Sequence, residues 1–416
     1  MISTVRGTRD ILPSDGGRWQ RLETGARRIC RQYGYQEIRT PILEREELFA
    51  KGTGEAPDIV QKEMYTFVDK SGERVTLRPE ATPSMVRAFV QNSLEQSMPV
   101  AKLYCLGPMF RYERPQKGRY RQFYQFDVEA FGIKAPLLDA EIIEMAVSFV
   151  TGLGIKDIKL LINSVGCSAC RPLFSEKLTD VLGSRVQELC KDCQRRAKTN
   201  PLRIFDCKVP SDQEIIDQLP HSEDHLCGGC RDHFDTVKRM LEVYSLNFQV
   251  SHRLVRGLDY YSRTTFEIVT QGIGAQNAVL GGGRYDNLVK QLGGPDRAGM
   301  GVAAGVDRLI LAMPEHESDS TSIDAFVVAI GDEARVSGQV LARDLREAGL
   351  RVLIEYEARS LRSQMKYADR SHAAYVLIVG DDELEFGNVT VKNMTTGEQS
   401  TVSRADVAGV LLSNEK

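Results

Sequence analysis

Apolar positions in the first third of the chain switch between two periods. Trp19, Leu22, Ala26 and Ile29 recur at helical spacing, which predicts an amphipathic helix over 18–33. After Gly34 the segment YQEIRTPILE reads as extended, checked by Pro41. Strand-like runs follow at 73–77, 101–112 and 121–131, the last rich in aromatics and alternating in polarity. Their short separations, with turn signals between, predict an antiparallel sheet on which helices at 82–96 and 139–152 would pack.

The pattern changes at about residue 167. From there to 245 the chain is charged, helical and cysteine-bearing, and strand-like sequence resumes at 263–270, so the stretch reads as an insertion. Residues 314–322, PEHESDSTS, are polar, acidic and linker-like. Beyond them AFVVAI, a helix over 333–348, RVLIEY, a helix over 360–369 and AYVLIVG make a βαβαβ pattern. Strands alternating with helices predict a separate, mostly parallel α/β domain. The expected division is therefore 1–322, with its insertion at about 167–245, and 323–416. No internal repeat or long low-complexity tract interrupts it.

Composition narrows the class. At 416 residues the chain is too long for one ordinary core, and 42% hydrophobic with 27% charged residues is usual for a globular protein. A net charge of −3 excludes a globally cationic nucleic-acid coat, so RNA binding would need local basic patches. The N-terminus MISTVRGTRDILPSDGG has no secretory h-region, and the longest apolar run, 373–379, is too short for a bilayer. The expectation is a soluble, cytoplasmic protein without membrane contact. Most of the nine cysteines fall between Cys167 and Cys230 in CxxC pairs, a clustering that in a cytosolic chain points to metal more than to disulfides.

Four segments carry candidate chemistry. FRYERPQKGRYRQFYQFDVEAFG places Arg111, Arg114, Lys117, Arg119 and Arg121 in one loop between strand-like runs. Such cation density suits a triphosphate or an RNA backbone, although a solvated hairpin would explain the cations alone. Gln125, Asp127 and Glu129 then recur at period two among aromatics, a poor core pattern and a good pocket floor. In TLRPEATPSMVRA, Glu80 and Thr82 lie at a strand-to-helix transition. Thr82 could cap the helix, and a carboxylate at a pocket rim could hold a ligand ammonium. In RLVRGLDYYSRTTFE, Gly257 and Asp259 suit a tight turn before Tyr260 and Tyr261, two tyrosines that read alone would be core or sheet surface. Finally, GGGRYDNLVKQLGG and GMGVAAGVDRLIL offer glycines for close backbone approach to a flat ligand, then Arg308 on an apolar helix. There is no GxxxxGK[ST] loop, which excludes a P-loop site.

The CxxC pairs are Cys167/Cys170, Cys190/Cys193 and Cys227/Cys230, with Cys207 alone. If 171–189 is one helix, the first two pairs lie on the order of 30 Å apart, too far to share an ion. Cys167, Cys170, Cys227 and Cys230 would precede helices, where the dipole favours thiolate, and form the candidate structural zinc set. Reduced, buried cysteines are the competing reading.

Together these segments resemble the histidyl-tRNA synthetases, a branch of the class II aminoacyl-tRNA synthetases, over nearly the whole chain from RGTRDILP onward. FRYERPQKGRYRQF is similar to the family's motif 2, GMGVAAGVDRL to its motif 3, and RGLDYYSRTTFE to a signature of histidine-specific members. Two departures from the family pattern are Asp127, where some relatives have a small residue, and the insertion, which only part of the family shares.

The resemblance implies an α+β catalytic domain with a six- or seven-stranded, mixed but mainly antiparallel sheet, a helical insertion and a separate C-terminal α/β anticodon-binding domain. It implies a ligase that activates L-histidine with ATP, Mg2+ accompanying the nucleotide, and transfers histidine to tRNA(His), working as a homodimer whose interface involves 33–44. Arg111 would bind the α-phosphate and Arg119 the γ-phosphate, with Arg308 flanking adenine and triphosphate. Arg256 would offset charge opposite the α-phosphate. Gln125 and Glu129 would read the imidazole, Glu80, Ala81 and Thr82 would lie near the α-amino group, and Tyr260, Tyr261 and Tyr285 would wall the ring.

In the C-terminal domain 11 Lys/Arg stand against 15 Asp/Glu, yet Arg359, Arg362, Lys366 and Arg370 fall on one helical stripe. A solvated face and an RNA-phosphate contact explain the stripe equally, and the resemblance favours RNA. Two rival functions are a histidine-sensing regulatory paralogue and an RNA-binding module without catalysis. Such paralogues usually lack the RGLDYY arginine and the C-terminal domain, both present here, and a pure RNA module leaves the floor of Gln125 and Glu129 unexplained.

Overall fold

The structure is a computed structural model that describes residues 2–52, 63–256, 258–271, 277–316 and 323–413. Gly257 and most of the 314–322 linker lie outside the described residues. The chain divides into two compact units, 1–319 and 320–416.

In the first unit the strands in chain order are β1 Gln36–Glu37, β2 Leu43–Arg45, β3 Tyr65–Val68, β4 Arg74–Leu77, β5 Ala101–Phe110, β6 Gln122–Phe131, β7 Lys159–Ser164, β8 Phe248–Val250, β9 Ser262–Val269, β10 Ala278–Arg284 and β11 Gly299–Gly305. Eight of them form one sheet in the order β1-β5-β6-β11-β10-β9-β7-β8, and β2-β4-β3 form a small second sheet. The large sheet exceeds the six or seven strands expected because a short parallel strand closes each edge, β1 on β5 and β8 on β7. Its interior pairs are antiparallel.

The alternation in β6 sorts its two faces. Phe126, Val128 and Ala130 enter the main core with Trp19, Leu22 and Ala26 of the helix Pro13–Gln32 and with Phe149 of the helix Pro136–Gly152. Gln125, Asp127 and Glu129 face the other way, as the period-two rule requires. The first helix starts at Pro13, five residues earlier than periodicity indicates, because proline at the first helical position has φ preset and no N–H to satisfy. The 82–96 helix is in fact Thr82–Gln91 and a separate turn Leu94–Ser97, broken at Ser93 in the left-handed region (φ 49°).

Within the insertion the supposed 171–189 helix ends at Leu182, and the chain continues as a 3-10 segment, Gly183–Glu188. Shorter pieces follow, among them Lys191–Thr199 and the 3-10 turn Pro201–Asp206, before the longer helix Gly228–Val243.

The second unit contains β12 Ile323–Ala329, β13 Val352–Ile354, β14 Ala373–Val379, β15 Asn388–Asn393 and β16 Gln399–Ser403, in the order β13-β12-β14-β15-β16. The first three are parallel, as the βαβαβ pattern predicts. An antiparallel hairpin, β15–β16, extends the sheet beyond it. Arg359 does not join the expected stripe. It precedes the N-cap Ser360 of the helix Leu361–Arg370 and pairs with Glu357 at 2.9 Å and Glu355 at 3.5 Å. Arg362, Lys366 and Arg370 remain exposed on the helix. Among the described residues no helix is long and apolar enough to cross a membrane.

Candidate active site

A cavity of about 970 Å³ opens on the polar face of the large sheet. Its floor is β6. Glu129 receives hydrogen bonds from the Thr82 hydroxyl at 2.5 Å and from the Tyr285 hydroxyl. Gln125 lies four residues earlier on the same face of β6, its buried Oε1 without a protein donor. Thr82 is therefore not a cap. It sits inside the helix with Ala81 at the N-cap, and its hydroxyl serves the floor. Ala81 does not line the cavity but packs in the apolar cluster beneath, with Met85 and Phe89.

Glycine makes the floor possible. Gly301 on β11 pairs with Glu129, and a Cβ there would fall 1.6 Å from Glu129 Oε2. A Cβ on Gly281 of β10 would fall 2.3 Å from an Arg256 guanidinium nitrogen. These glycines create space for the site's own side chains, which is a different use from the direct ligand approach expected of them.

Glu80 forms the opposite carboxylate. One oxygen accepts from the Tyr260 hydroxyl at 3.3 Å, and the other is buried without a partner. Burial pushes Glu80 up to about 7 against the pull of Arg111 and Arg256. Burial likewise pushes Glu129 up to about 8, opposed by its bonds from Thr82 and Tyr285. Asp127 lies under the floor, fully buried, with both carboxylate oxygens unpartnered. Burial, then Glu129 and Glu80, hold its carboxyl well above the usual carboxylate range.

The cations occupy the rest of the wall. Arg111 donates to Pro79 O at 2.8 Å and lies over the Phe123 ring. Arg119 pairs with Glu113 at 2.9 Å, and Arg308, at the start of the helix Val306–Ala312, donates to Ala278 O at 2.5 Å. Arg256 pairs with Glu267 at 2.7 Å and faces the Tyr261 ring. Burial opposes its charge, but Tyr261 and Glu267 outweigh that and hold it above the ordinary guanidinium value. Arg121 departs from this set. It stacks on Tyr112, with its guanidinium carbon 3.9 Å from the ring centre, outside the cavity lining.

Several lining residues were not singled out from sequence. Glu113 and Glu267 are the counter-ions of Arg119 and Arg256, and Asp307 ties Arg9 to the backbone of β6 through bonds of 3.0 and 3.1 Å. Their signal was the arginines themselves, which need carboxylates nearby when half buried.

The cysteines form two groups. The Sγ atoms of Cys167 and Cys170 are 3.7 Å apart, Cys167 and Cys227 3.9 Å, and Cys170 and Cys230 3.8 Å. Cys170 begins one helix and Cys227 caps another. A second group, Cys190, Cys193, Cys207 and Asp212, brings its ligand atoms within 4.8 Å of one another, and sequence reasoning did not assemble it.

A class of enzyme is defined by the open side of this sheet, where facing carboxylates and a ring of arginines share one cavity, joined to a separate α/β unit. The histidyl-tRNA synthetase family model matches residues 7–309 and the anticodon-binding domain model matches 324–414. The histidine–tRNA ligase of Desulfosudis oleivorans is 49% identical over 414 residues, 99% of this chain and 98% of that one. That of Moorella thermoacetica is 50% identical over 411 residues, 98% and 97% of the two chains. The apo crystal structure of Staphylococcus aureus histidyl-tRNA synthetase superposes with a TM-score of 0.83 at 37% identity, covering 99% of this chain and all of that one. A Bacillus halodurans structure titled as an ATP phosphoribosyltransferase regulatory subunit/histidyl-tRNA synthetase, at 19% identity and a TM-score of 0.67, shares the fold. The chain belongs to the histidyl-tRNA synthetase family, and its activity is the ligation of histidine to tRNA.

Proposed function

We propose that the cavity binds L-histidine on β6 and ATP along its arginine wall, and that both steps of histidylation take place there. The observation that carries this is the meeting, in one cavity, of Glu80, Thr82, Gln125 and Glu129 with Arg111, Arg119, Arg256 and Arg308. Glu80 and Thr82 receive the α-ammonium, and Gln125 and Glu129 receive the imidazole between Tyr260, Tyr261 and Tyr285. Buried groups of this kind reject side chains that leave them unpaired, because an orphaned buried polar group costs about 1–3 kcal/mol.

A histidine carboxylate oxygen then attacks the α-phosphorus, and the bond to the bridging oxygen breaks to release pyrophosphate. No general base is required, since the attacking carboxylate is already ionised at neutral pH. Arg256 and Arg111 stabilise the charge that builds on the phosphoryl oxygens, Arg119 holds the γ-phosphate and Arg308 flanks the adenine. Mg2+ accompanying the triphosphate would neutralise phosphate charge, and Glu113 and Glu267, which otherwise pair with Arg119 and Arg256, are lining carboxylates that would hold it. In the second step the terminal ribose hydroxyl of tRNA(His) attacks the histidyl carbonyl and AMP leaves. The test is ATP–pyrophosphate exchange. It should depend on L-histidine and fail with other amino acids, whereas a regulatory paralogue would bind histidine without exchange.

Two further parts of the reading concern assembly. Cys167, Cys170, Cys227 and Cys230 hold a structural zinc, supported by sulfur separations close to the roughly 3.8 Å of a tetrahedral ion with ~2.3 Å bonds. The working form is a cytoplasmic homodimer. Ile42 and Leu43 are exposed beside Pro41, as are Phe67 and Val68 on the small sheet, an apolar surface that a second copy would cover. Sedimentation of a fully active monomer at assay concentration would refute the dimer.

A further inference from the structure

We infer that Cys190, Cys193, Cys207 and Asp212 form a second zinc site, and that this site fixes one wall of the substrate cavity. Three thiols and a carboxylate whose ligand atoms lie within 4.8 Å of one another have the composition and span of a tetrahedral zinc site. Cys190 and Cys207 Sγ are 3.9 Å apart, and Cys207 Sγ is 3.2 Å from Asp212 Oδ2. A tetrahedral ion with bonds of ~2.3 Å to sulfur and ~2.0 Å to oxygen needs roughly 3.8 Å and 3.5 Å for these separations. Thiolate-rich sites favour zinc over the hard divalent cations.

Asp212 is the telling member. It is fully buried, and its carboxylate accepts from the Cys190 N–H at 3.1 Å, the Cys207 thiol and the Ser211 hydroxyl, none of them cationic. A buried carboxylate aimed at three thiols is costly unless a cation sits between them. The Val209 N–H donates to Cys207 Sγ at 3.4 Å, the kind of outer donor that orients a ligating thiolate.

The four residues are spread over a part of the insertion with little regular structure of its own. They join the start of the helix Lys191–Thr199, the end of the 3-10 turn Pro201–Asp206 and the turn Pro210–Asp212. The three cysteines share a small apolar cluster with Leu189, Ile204 and Phe205, and a metal would cross-link these pieces beside it.

What they hold in place is catalytic territory. Phe205, Cys207 and Lys208 line the same cavity as Glu129 and Arg256. Asn200 donates to Asp259 at 2.6 Å, while Arg253 reaches Gln213 at 2.6 Å and Asp217 at 2.9 Å. The metal would therefore act as a positioning device for the 253–261 segment that carries Arg256.

The experiment uses the full chain, purified under reducing conditions, with zinc counted by mass spectrometry and the Co2+-substituted protein examined by absorption. About two ions per chain are expected in the parent. About one should remain in Cys190→Ser/Cys193→Ser and about one in Cys167→Ser/Cys227→Ser. The first variant should also raise the KM for histidine about 10-fold. Asp212→Cys should keep both ions and strengthen the thiolate-to-cobalt charge-transfer band, a readout that holds even if the double serine variant fails to fold. A single ion that vanishes with Cys167→Ser/Cys227→Ser, or a cobalt spectrum unmoved by Asp212→Cys, overturns the second site. A single ion that vanishes with Cys190→Ser/Cys193→Ser keeps it and removes the first.

Discussion

In the proposed reaction Arg256 acts on charge that exists only in the transition state. Its partner before substrate arrives is Glu267, and the missing Cβ of Gly281 leaves room for its guanidinium. Interactions made only in the transition state lower kcat when removed and leave ground-state binding nearly intact. Arg256→Ala should therefore cut histidine-dependent pyrophosphate exchange by about 10²–10³-fold, the usual loss for one such donor, with little change in the KM for histidine. Near-normal exchange would remove Arg256 from the chemistry.

Glu129 makes a prediction of a different kind. Its folded value, pushed up to about 8, lies above the ordinary carboxylate range, so the empty fold prefers its protonated form. The stability it contributes is then full below the ordinary range and is lost as pH rises through about 8. Melting of the unliganded protein should fall between pH 6 and pH 9, and Glu129→Gln should shrink that fall. If the variant and the parent lose the same stability over this interval, Glu129 is not a neutral acid in the empty site. The same substitution should weaken histidine binding, since an amide replaces the carboxylate that would read the imidazole.

At the scale of elements, a buried ionic knot joins the insertion to the sheet. Asp139, in the first turn of the helix Pro136–Gly152, contacts Arg284 of β10 at 3.0 Å and His233 of the helix Gly228–Val243 at 2.8 Å. Arg263 donates to the other ring nitrogen of His233 at 3.1 Å, which leaves the Nε2–H to donate to Asp139. Burial works against the Asp139 charge, but His233 and Arg284 outweigh it and hold its carboxyl below the usual range. Asp139→Asn would leave the fully buried Arg284 with Asp286, at 3.2 Å, as its remaining carboxylate and should cost about 2–3 kcal/mol in urea denaturation. A loss under 1 kcal/mol would mean that water or a rearranged Asp286 replaces the pair.

Elements were legible in sequence where one physical signal dominated. Alternation in 121–131 gave β6 and the polar floor, and helical spacing from Trp19 to Ile29 gave the first helix. The knot was not legible, because Asp139, His233 and Arg284 meet only after a helix, an insertion and a strand are packed. The second cysteine group escaped for a related reason. Cys207 and Asp212 sit in 3-10 turns without periodicity, and the assumed 171–189 helix drew attention only to what lay at its ends. The lysine and arginine stripe failed by one residue. Spacing cannot tell that Ser360 caps the helix, with its hydroxyl accepting from the Ser363 N–H, and so leaves Arg359 outside.

For the whole molecule, chemistry and tRNA selection should separate at the linker. Every segment of the cavity lies before residue 309, while the family match to the anticodon-binding domain begins at 324. A chain ending near Ser322 should form histidyl-adenylate, provided it still dimerises, and should charge tRNA poorly. The second unit carries an excess of acidic residues, so bulk attraction to RNA is not available to it. Contact must come from a local patch, and the exposed Arg362, Lys366 and Arg370 on one helix are the candidates, now without Arg359, which Glu355 and Glu357 already engage. Arg362→Glu with Arg370→Glu should raise the KM for tRNA at least about 10-fold and lower the salt slope of binding by about 1 for each lost phosphate contact. The KM for histidine in exchange should stay where it was, since neither residue belongs to the unit that holds the cavity. Equal charging by the truncated and full chains would assign the second unit another task, and an unchanged salt slope in the double variant would place its RNA contact on a different face.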